Sequence, residues 1–231
     1  MINLTDFSVL TFDCYGTMID WESGLFSALR PVLAAHQKKI TDVALLEMYS
    51  ELELATEQQD YMNYGDVLES VVRGFGRRLG FTPTEAEARS LPESVKTWQP
   101  FPDTVAALQK LKSRHQLAVI SNIDDDLFAL TAPKLKVTFD YVITAQQARC
   151  YKPCSKIFRM AQERMGVSLG QWLHVGQSIY HDVIPAKSLG IATVWVNRPS
   201  PRAGAGATKA ATGNPDLEVS SLAALAAISE N

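Results

Sequence analysis

The sequence predicts an α/β protein with a parallel sheet, interrupted after its first strand by a helical insertion. Three observations support this fold class. Residues 8–12 form a short apolar run that is typical of a buried parallel strand. About eighty residues with helical periodicity and no strand pattern follow. From Phe101 onward, helical and strand patterns alternate, as they do in a parallel sheet with helices on both faces.

The first strand delivers Asp13 to its carboxyl end, and Gly16 and Thr17 open a turn directly after it. The insertion that follows is predicted to hold four helices, at residues 21–37, 41–59, 66–79 and 84–98. Because ligands bind beyond the carboxyl ends of strands in such sheets, the insertion should cover that crevice as a lid.

The alternating region is predicted to contain four helices and four strands before a surface loop and a terminal helix. The helices are placed at residues 103–115, 125–135, 155–165 and 181–189, and the strands at 117–120, 141–143, 172–175 and 192–196. Residues 199–215 are rich in Pro, Gly, Ala and Ser and are predicted to form the loop. We therefore expect a discontinuous core of residues 1–17 and 99–231, with residues 18–98 as the inserted domain.

Composition excludes several classes of protein. The chain has 231 residues, 46% of them hydrophobic, and a net charge of −3, which offers no basic surface for nucleic acid. No apolar run approaches the roughly 20 residues needed to span a membrane, and no secretory segment follows Met1. Three cysteines without a zinc-type spacing favour free thiols in a reducing compartment. A cytoplasmic protein, monomeric or homodimeric, is expected.

Four loops at the carboxyl ends of predicted strands carry groups that could do chemistry. In chain order, these groups are Asp13 with Thr17, Ser121 with Asn122, Lys152, and Ser178 with Asp182. A carboxylate at such a position acts as a nucleophile or as a metal ligand. Taken singly, each group has a structural alternative: a helix cap for either aspartate, a turn for Ser121 and Asn122, and a solvated charge for Lys152.

Together, in this order and with a helical insertion after the first, these groups resemble the haloacid dehalogenase superfamily over essentially the whole chain. The resemblance implies a Rossmann-like core with a helical cap domain, and Asp13 as a nucleophile that forms a covalent aspartyl intermediate. Most members of that superfamily are magnesium phosphatases. Tyr15 and Gln177 stand here where those enzymes place a second aspartate and a metal carboxylate. The chain instead resembles the metal-free branch, the 2-haloacid dehalogenases, so no metal and no cofactor are expected.

In that branch Asp13 attacks the carbon that bears the leaving group and forms an ester. By resemblance, Asp182 activates the water that hydrolyses the ester, and Lys152 keeps Asp13 ionised. Thr17, Ser121 and Asn122 are expected to hold Asp13 or the substrate carboxylate. The residues expected to contact the substrate are Tyr15, Trp21, Tyr49, Ser121, Asn122 and Ser178.

Two features of the dehalogenases are missing. Their second cap helix carries an Arg that is absent from residues 47–53, and Phe158 replaces a Tyr. Arg30 is one substitute, although a surface role is the alternative.

The chain is also similar to the azetidine-2-carboxylate hydrolases of this branch. For their cationic substrate, an acidic helix could supply Glu51, Glu53 or Glu57; otherwise these residues form a solvated helix face.

The leading interpretation is a metal-independent hydrolase that cleaves a carbon–leaving group bond next to a carboxylate, with a 2-haloacid as substrate. Ring opening of azetidine-2-carboxylate and phosphate hydrolysis are the alternatives within the superfamily. A scaffold protein that has lost catalysis is disfavoured, because it has no need for Asp13, Lys152 and Asp182 at three strand ends. The expected partner is a small carboxylate, not nucleic acid or a membrane.

Overall fold

A computed structural model describes residues 2–199 and 206–229, and these residues contain a six-stranded sheet in which every pairing is parallel. The strands are Val9–Phe12 (β1), Gln116–Ser121 (β2), Tyr141–Thr144 (β3), Trp172–Gly176 (β4), Ala192–Val196 (β5) and Leu217–Val219 (β6). Their order across the sheet is β3-β2-β1-β4-β5-β6, so β1 lies in the middle, between β2 and β4. The predicted α/β class is confirmed.

Helices lie between and after the strands of the described chain. Those between β1 and β2 are Trp21–Ala35 (α1), Asp42–Glu57 (α2), Tyr64–Leu79 (α3), Glu85–Ser94 (α4) and Thr104–Lys112 (α5). Those that follow β2 are Asp125–Thr131 (α6), Ala145–Ala148 (α7), Ser155–Met165 (α8), Ile184–Ser188 (α9) and Leu222–Ile228 (α10). No helix in the described ranges is long and apolar enough to cross a membrane.

The insertion after β1 consists of α1 to α4, which pack on one another. Its helices start where the sequence supplies caps: the Thr41 hydroxyl accepts from the amide of Ala44, and Thr84 and Glu87 form a reciprocal capping box. The chain enters and leaves the insertion at one place, where Ile19 pairs with Pro100 in an antiparallel bridge. This junction lies next to the predicted bounds at residues 17–18 and 98–99, which remain a prediction.

The two faces of the sheet bury separate apolar clusters. Along β1, Leu10 and Phe12 belong to the cluster that also includes the cap helices, whereas Val9 belongs to the cluster beneath α8. All four β1 residues are buried, as expected for a central parallel strand covered on both faces. Burial on both faces fixes the register, so the residue that follows Phe12 must emerge at the edge of the sheet.

Two local features differ from the prediction. The predicted helix at 181–189 begins instead as a π-helical turn, Ile179–Val183, that continues into α9. The strand β6 lay undetected beyond the predicted loop, because three residues are too few for a periodic pattern. Residues 200–205 of that loop lie outside the described residues.

Candidate active site

The site lies at the carboxyl edge of the three central strands. Phe12 is in register with Val119 of β2 and Val175 of β4, so the residues that follow these three meet at one edge. The amide of Asp13 donates to the carbonyl of Val175 at 2.9 Å and extends the strand pairing by one residue. Asp13 is 8% exposed, so its side chain is almost completely removed from solvent.

A buried ammonium group joins the two strand-end aspartates. Lys152 Nζ lies 2.8 Å from Asp13 Oδ1 and 2.6 Å from Asp182 Oδ1, and it also donates to the carbonyl of Ile120 at 3.0 Å. These three acceptors use all three hydrogens of the ammonium group. Asp13, Lys152 and Asp182, which are far apart in the sequence, thus form one hydrogen-bonded triad.

The second oxygen of the Asp13 carboxylate is bound by the turn that follows it. The Thr17 hydroxyl donates to Asp13 Oδ2 at 2.7 Å and accepts from the amide of Gln177 at 2.9 Å. Gly16 makes this turn with φ +93°, and a Cβ there would lie 3.1 Å from Trp21 Nε1. The Gly16-Thr17 pair therefore fixes the orientation of the carboxylate.

Asp182 comes from the π-helical turn after β4 and lies against the strand. A Cβ at Gly176 would lie 2.5 Å from Asp182 Cγ, so only glycine lets the carboxylate approach this closely. The amide of Ser178 is 3.3 Å from Asp182 Oδ2. Asp182 Oδ1 already accepts from Lys152 and lies within hydrogen-bond distance of His174 Nε2. Oδ2 is therefore the oxygen with capacity to accept another hydrogen bond.

His174 is a partner of Asp182 that the sequence analysis missed. Its Nε2 lies 3.1 Å from Asp182 Oδ1, and its Nδ1 lies 2.8 Å from Thr11 Oγ1. The indole of Trp172 already donates to Thr11 Oγ1, so the Thr11 hydroxyl can donate to Nδ1 and leave the proton of His174 on Nε2. In the sequence His174 is simply one residue of an apolar strand, without a signal of its role.

Charge and burial oppose each other in the triad. Burial raises the pKa of Asp13, and the Lys152 ammonium opposes that rise. Burial alone would lower the pKa of Lys152, but the two carboxylates raise it, so the ammonium stays protonated. Burial would raise the pKa of Asp182, yet Lys152 and His174 hold it well below its usual range. The result is an ionised Asp182 and a permanently charged lysine beside the nucleophile.

Ser121 and Asn122 have different roles. The Asn122 side chain binds the backbone of Lys152 on both sides, accepting from its amide at 2.7 Å and donating to its carbonyl at 3.2 Å. It therefore positions the lysine. Ser121 is 1% exposed, and its hydroxyl has no hydrogen-bond partner among the described residues. That hydroxyl is available to a ligand.

The loop of Ser178 also presents a histidine. The Ser178 hydroxyl accepts from the amide of His181 at 2.9 Å and lies 3.2 Å from its Nδ1. Burial lowers the pKa of His181 to about 4, so its ring is neutral at neutral pH. Its Nε2 is buried with no partner in the described residues. His181 is thus a second group near the triad that could hold a water molecule.

A small cavity of about 50 Å³ opens onto the triad. It has room for about four water molecules, so its occupant is small. The core lines it with Asp13, Ser121, Asn122, Lys152, Ser178 and Asp182. The insertion lines it with Trp21, Glu53, Glu57 and Tyr64. Tyr15, Gln177, His181 and Thr208 complete the wall. Helices α1, α2 and α3 therefore close one side of the cavity.

Of the two aromatic residues expected from the insertion, only Trp21 lines the cavity. Tyr49 is fully buried behind it, with the two rings edge to face at 5.5 Å. The Tyr49 hydroxyl donates to Glu53 Oε1 at 2.7 Å and is therefore directed at a protein group, not at a substrate. The expectation of a direct substrate contact for Tyr49 is corrected to a supporting position.

Tyr15 lines the cavity with its ring, and its hydroxyl is held elsewhere. The hydroxyl lies 2.8 Å from Thr131 Oγ1, and the ring meets Trp98 edge to face at 5.6 Å. Burial raises the pKa of the Tyr15 hydroxyl well above its usual value. It is therefore suited to shaping the cavity and not to proton transfer.

The three glutamates of α2 separate into two groups. Glu51 is exposed and forms an ion pair with Arg78 on the outer surface, so the solvated-face interpretation applies to it. Glu53 is 9% exposed and accepts from the hydroxyls of Tyr49 at 2.7 Å and Tyr64 at 2.6 Å. Glu57 lies one turn further along and lines the cavity as well. Two carboxyl groups of the cap thus face the triad.

Neither Arg30 nor Phe158 reaches the cavity. Arg30 donates to the carbonyl of Ile40 at 2.8 Å and pairs with Asp42, which is the surface role. Phe158 is buried beneath the sheet, edge to face with His174 at 5.0 Å. Its ring therefore supports the histidine from behind.

The residues at the triad fit Mg²⁺ poorly. Three of the four oxygens of Asp13 and Asp182 already accept hydrogen bonds from Lys152 or Thr17. Gln177 supplies a neutral amide oxygen, which lies 3.2 Å from the Thr208 hydroxyl. Within residues 2–199 and 206–229, no group of three or more His, Cys, Asp and Glu side chains could hold a metal ion. Mg²⁺ prefers anionic oxygens in octahedral geometry, and this donor set does not provide them.

A buried glutamate gives a testable stability effect. Burial raises the pKa of Glu53 from 4.5 to about 7. Between these pH values the folded protein holds a proton that the unfolded chain releases, so stability falls as the pH rises. Glu53→Gln removes this titration and keeps an oxygen for both tyrosines. We expect the variant to exceed the parent by about 3 kcal/mol in unfolding free energy at pH 8, and to match it near pH 4, below the pKa of the unfolded glutamate.

Urea unfolding at both pH values measures this effect, with Glu51→Gln as the matched control on the exposed face of α2. The control should change little at either pH. Equal stability of Glu53→Gln and the parent at pH 8 would contradict the assigned titration.

Comparisons with known proteins agree with this architecture. A family model of haloacid dehalogenase-like hydrolases matches residues 7–190. The (S)-2-haloacid dehalogenase H-109 of Pseudomonas putida is 25% identical over 195 residues, which cover 82% of this chain and 85% of the relative.

Solved structures show the same fold. The L-2-haloacid dehalogenase of Xanthobacter autotrophicus, with chloropropionic acid covalently bound, has a TM-score of 0.80 at 21% identity and covers 97% of this chain and 98% of its own. The magnesium-bound hydrolase YfnB of Bacillus subtilis has a TM-score of 0.80 at 17% identity, covering 97% and 99%. The same fold thus occurs in a dehalogenase and in a magnesium-bound hydrolase. The family match spans most of the sequence, and the chain belongs to the haloacid dehalogenase-like hydrolases.

Proposed function

We propose that this hydrolase displaces a leaving group from a carbon next to a carboxylate, without a metal, and that a 2-haloacid is its substrate. The triad carries this proposal: at the floor of a small cavity, the Lys152 ammonium donates to Asp13 at 2.8 Å and opposes the rise in the pKa of Asp13 that burial causes. A carboxylate in that state is a competent nucleophile toward carbon. The similarity to (S)-2-haloacid dehalogenases supports the choice of substrate.

The reaction proceeds in two steps. An oxygen of Asp13 attacks the carbon that bears the halogen, a carbon–oxygen bond forms, and the halide leaves with the bonding electrons. A water molecule then attacks the carbonyl carbon of the resulting ester. The ester bond breaks, the 2-hydroxyacid departs, and the Asp13 carboxylate is restored with release of one proton. Asp182 Oδ2 is the oxygen available to orient and accept a proton from that water.

The Ser121 hydroxyl, which has no partner among the described residues, is the donor for the substrate carboxylate, and Lys152, which already donates to Asp13, is the donor for the ester carbonyl. Both are buried, where such interactions are stronger than in water. Tyr15 and Trp21 limit the volume of the substrate. Closure of the cavity by the cap keeps bulk water from competing with the substrate for Asp13.

Two other reactions would use the same nucleophile, and they should be assayed alongside halide release. Ring opening of azetidine-2-carboxylate would break a carbon–nitrogen bond, and the ring nitrogen would leave as an amine that stays on the product. Phosphate hydrolysis would need a divalent cation to offset the charge of the substrate. Halide release, ring opening and phosphate release, each measured with and without EDTA, separate these reactions.

The expected result is activity toward a carbon electrophile that EDTA leaves unchanged, because the donor set does not suit Mg²⁺. A magnesium-dependent phosphatase assayed in parallel confirms that the chelator is effective. Phosphate release that requires added Mg²⁺, with no reaction at carbon, would overturn the proposed function.

A further inference from the structure

A second, wider cavity adjoins the active site at the boundary between the inserted helices and the core. Its volume is about 310 Å³, and it shares Glu57 and Lys152 with the active-site cavity as lining residues. Its wall also includes Asp60 and Arg149, which are exposed. The wider cavity therefore extends from solvent to the buried Lys152 and forms a passage to the active site.

An anionic substrate has to pass acidic groups on its way to Asp13. Lys152 directs its three hydrogens to Asp13, Asp182 and the carbonyl of Ile120, so it has no free donor for an arriving anion. Burial raises the pKa of Glu57 well above its usual value, which lessens the negative charge where the two cavities join. Attraction for a carboxylate must therefore come from another cation in the passage.

Arg149 is a cation with free donors in this passage. Among the described residues that line the two cavities, Arg149 and Lys152 are the only lysine or arginine side chains. No hydrogen bond or ion pair joins the Arg149 side chain to another residue of the described ranges. Its guanidinium lies 4.4 Å from the centre of the Tyr61 ring, and Tyr61 stacks on Tyr151 at 5.3 Å. A stacked guanidinium keeps its N–H groups free at its edges, in the fork that matches a carboxylate.

We propose that Arg149 binds the carboxylate of the substrate in the wider cavity, before the substrate enters the active site, and that it thereby selects anionic substrates. This inference rests on the proposed function and deepens it, because it assigns the group that attracts the 2-haloacid. The Ser121 hydroxyl then receives the same carboxylate in the smaller cavity. Arg149 follows α7 of the core and Tyr61 follows α2 of the insertion, so the site is complete only while the insertion lies over the core.

Chemical protection tests the site directly, in the Asp13→Asn variant so that no turnover occurs. Phenylglyoxal, which modifies guanidinium groups, is applied with 2-chloropropionate or with the neutral 2-chloropropionamide, and the modified peptides are measured by mass spectrometry. The carboxylate should slow modification of Arg149 by about fivefold or more, because it occupies the edges of the guanidinium, and the amide should not. Arg159, which is exposed on α8 and lines neither cavity, should react equally fast in every sample.

Steady-state kinetics test the contribution of Arg149 to substrate choice. Arg149→Gln should lower kcat/KM for 2-chloropropionate by about threefold or more at low ionic strength and leave kcat nearly unchanged, because the arginine attracts the substrate without touching the reacting carbon. Arg149→Lys keeps the charge and should restore most of the loss. The loss should shrink at an ionic strength of about 0.5 M, where charges are screened. Arg159→Gln makes the same change in net charge and should match the parent.

Equal modification of Arg149 with and without 2-chloropropionate overturns the inference, and so does equal protection by the amide. A parental kcat/KM in Arg149→Gln, or the same loss in Arg159→Gln, also overturns it. Halide release by the unaltered enzyme, with Arg149 unprotected, rejects the inference and retains the proposed function. Protection of Arg149 by the carboxylate, with no halide release by the unaltered enzyme, rejects the proposed function and retains the carboxylate site.

Discussion

Asp13→Asn is expected to abolish turnover, with a loss on the order of 10⁴-fold or more, as is usual when a covalent nucleophile is removed. An amide is a poor nucleophile, and it cannot form the ester. The substitution is nearly isosteric, and the amide oxygen of the new side chain could still accept from the Thr17 hydroxyl, which binds Asp13 Oδ2 at 2.7 Å in the parent. Initial rates of halide release measure the effect. Asp6→Asn, an exposed position at the other end of β1, is the matched control and should be fully active.

Isotope labelling identifies the role of Asp13 directly. In a single turnover in ¹⁸O-labelled water, the label should appear first in the Asp13 carboxylate, because water attacks the ester carbonyl carbon. The product then receives an oxygen that Asp13 originally carried. Label that enters the product in the first turnover would mean that water attacks the substrate directly, with Asp13 acting as a base.

The two aspartates of the triad could be predicted because topology fixes their place. Asp13 and Asp182 follow the neighbouring strands β1 and β4, and Ser121 ends β2 on the other side of β1, so all three lie at the same edge of the sheet. Because these strands are buried on both faces, their sequences are apolar runs, and such runs predict strands. The position of Lys152 was less determined, since it follows the short helix α7 and not a strand. The resemblance to a family, and not the local pattern, assigned it to the site.

The walls of the cavity could not be predicted with equal success. The residues Tyr49, Glu51, Glu53 and Glu57 lie within three turns of α2, and a rotation of this helix by one residue, about 100°, would change which of them face the nucleophile. Helical periodicity is weak here, because polar and apolar residues both point inward. Packing of α2 on α3 settles the rotation and places Tyr64 against Glu53. Thr208 likewise reaches the cavity from a segment without periodic pattern.

Asp182→Asn is expected to slow hydrolysis of the ester by about 10²- to 10⁴-fold, the usual contribution of a general base. Ester formation should slow less, because Lys152 still neutralises Asp13 from a distance of 2.8 Å. The covalent intermediate should therefore accumulate and be visible by mass spectrometry of the intact protein and of the peptide that contains Asp13. The parent enzyme, quenched at the same time, should carry little of it.

His181→Asn is the decisive control, because His181 is the other proton acceptor on this loop. Its ring is neutral, since burial lowers its pKa to about 4, and its Nε2 is unpaired among the described residues. If Asp182 is the base, this variant should hydrolyse the ester at nearly the parental rate. Accumulation of ester in His181→Asn, with normal turnover in Asp182→Asn, would transfer the role to the histidine. Asp182 would then serve to hold Lys152 and His174 in place, a task that its 2.6 Å and 3.1 Å contacts already perform.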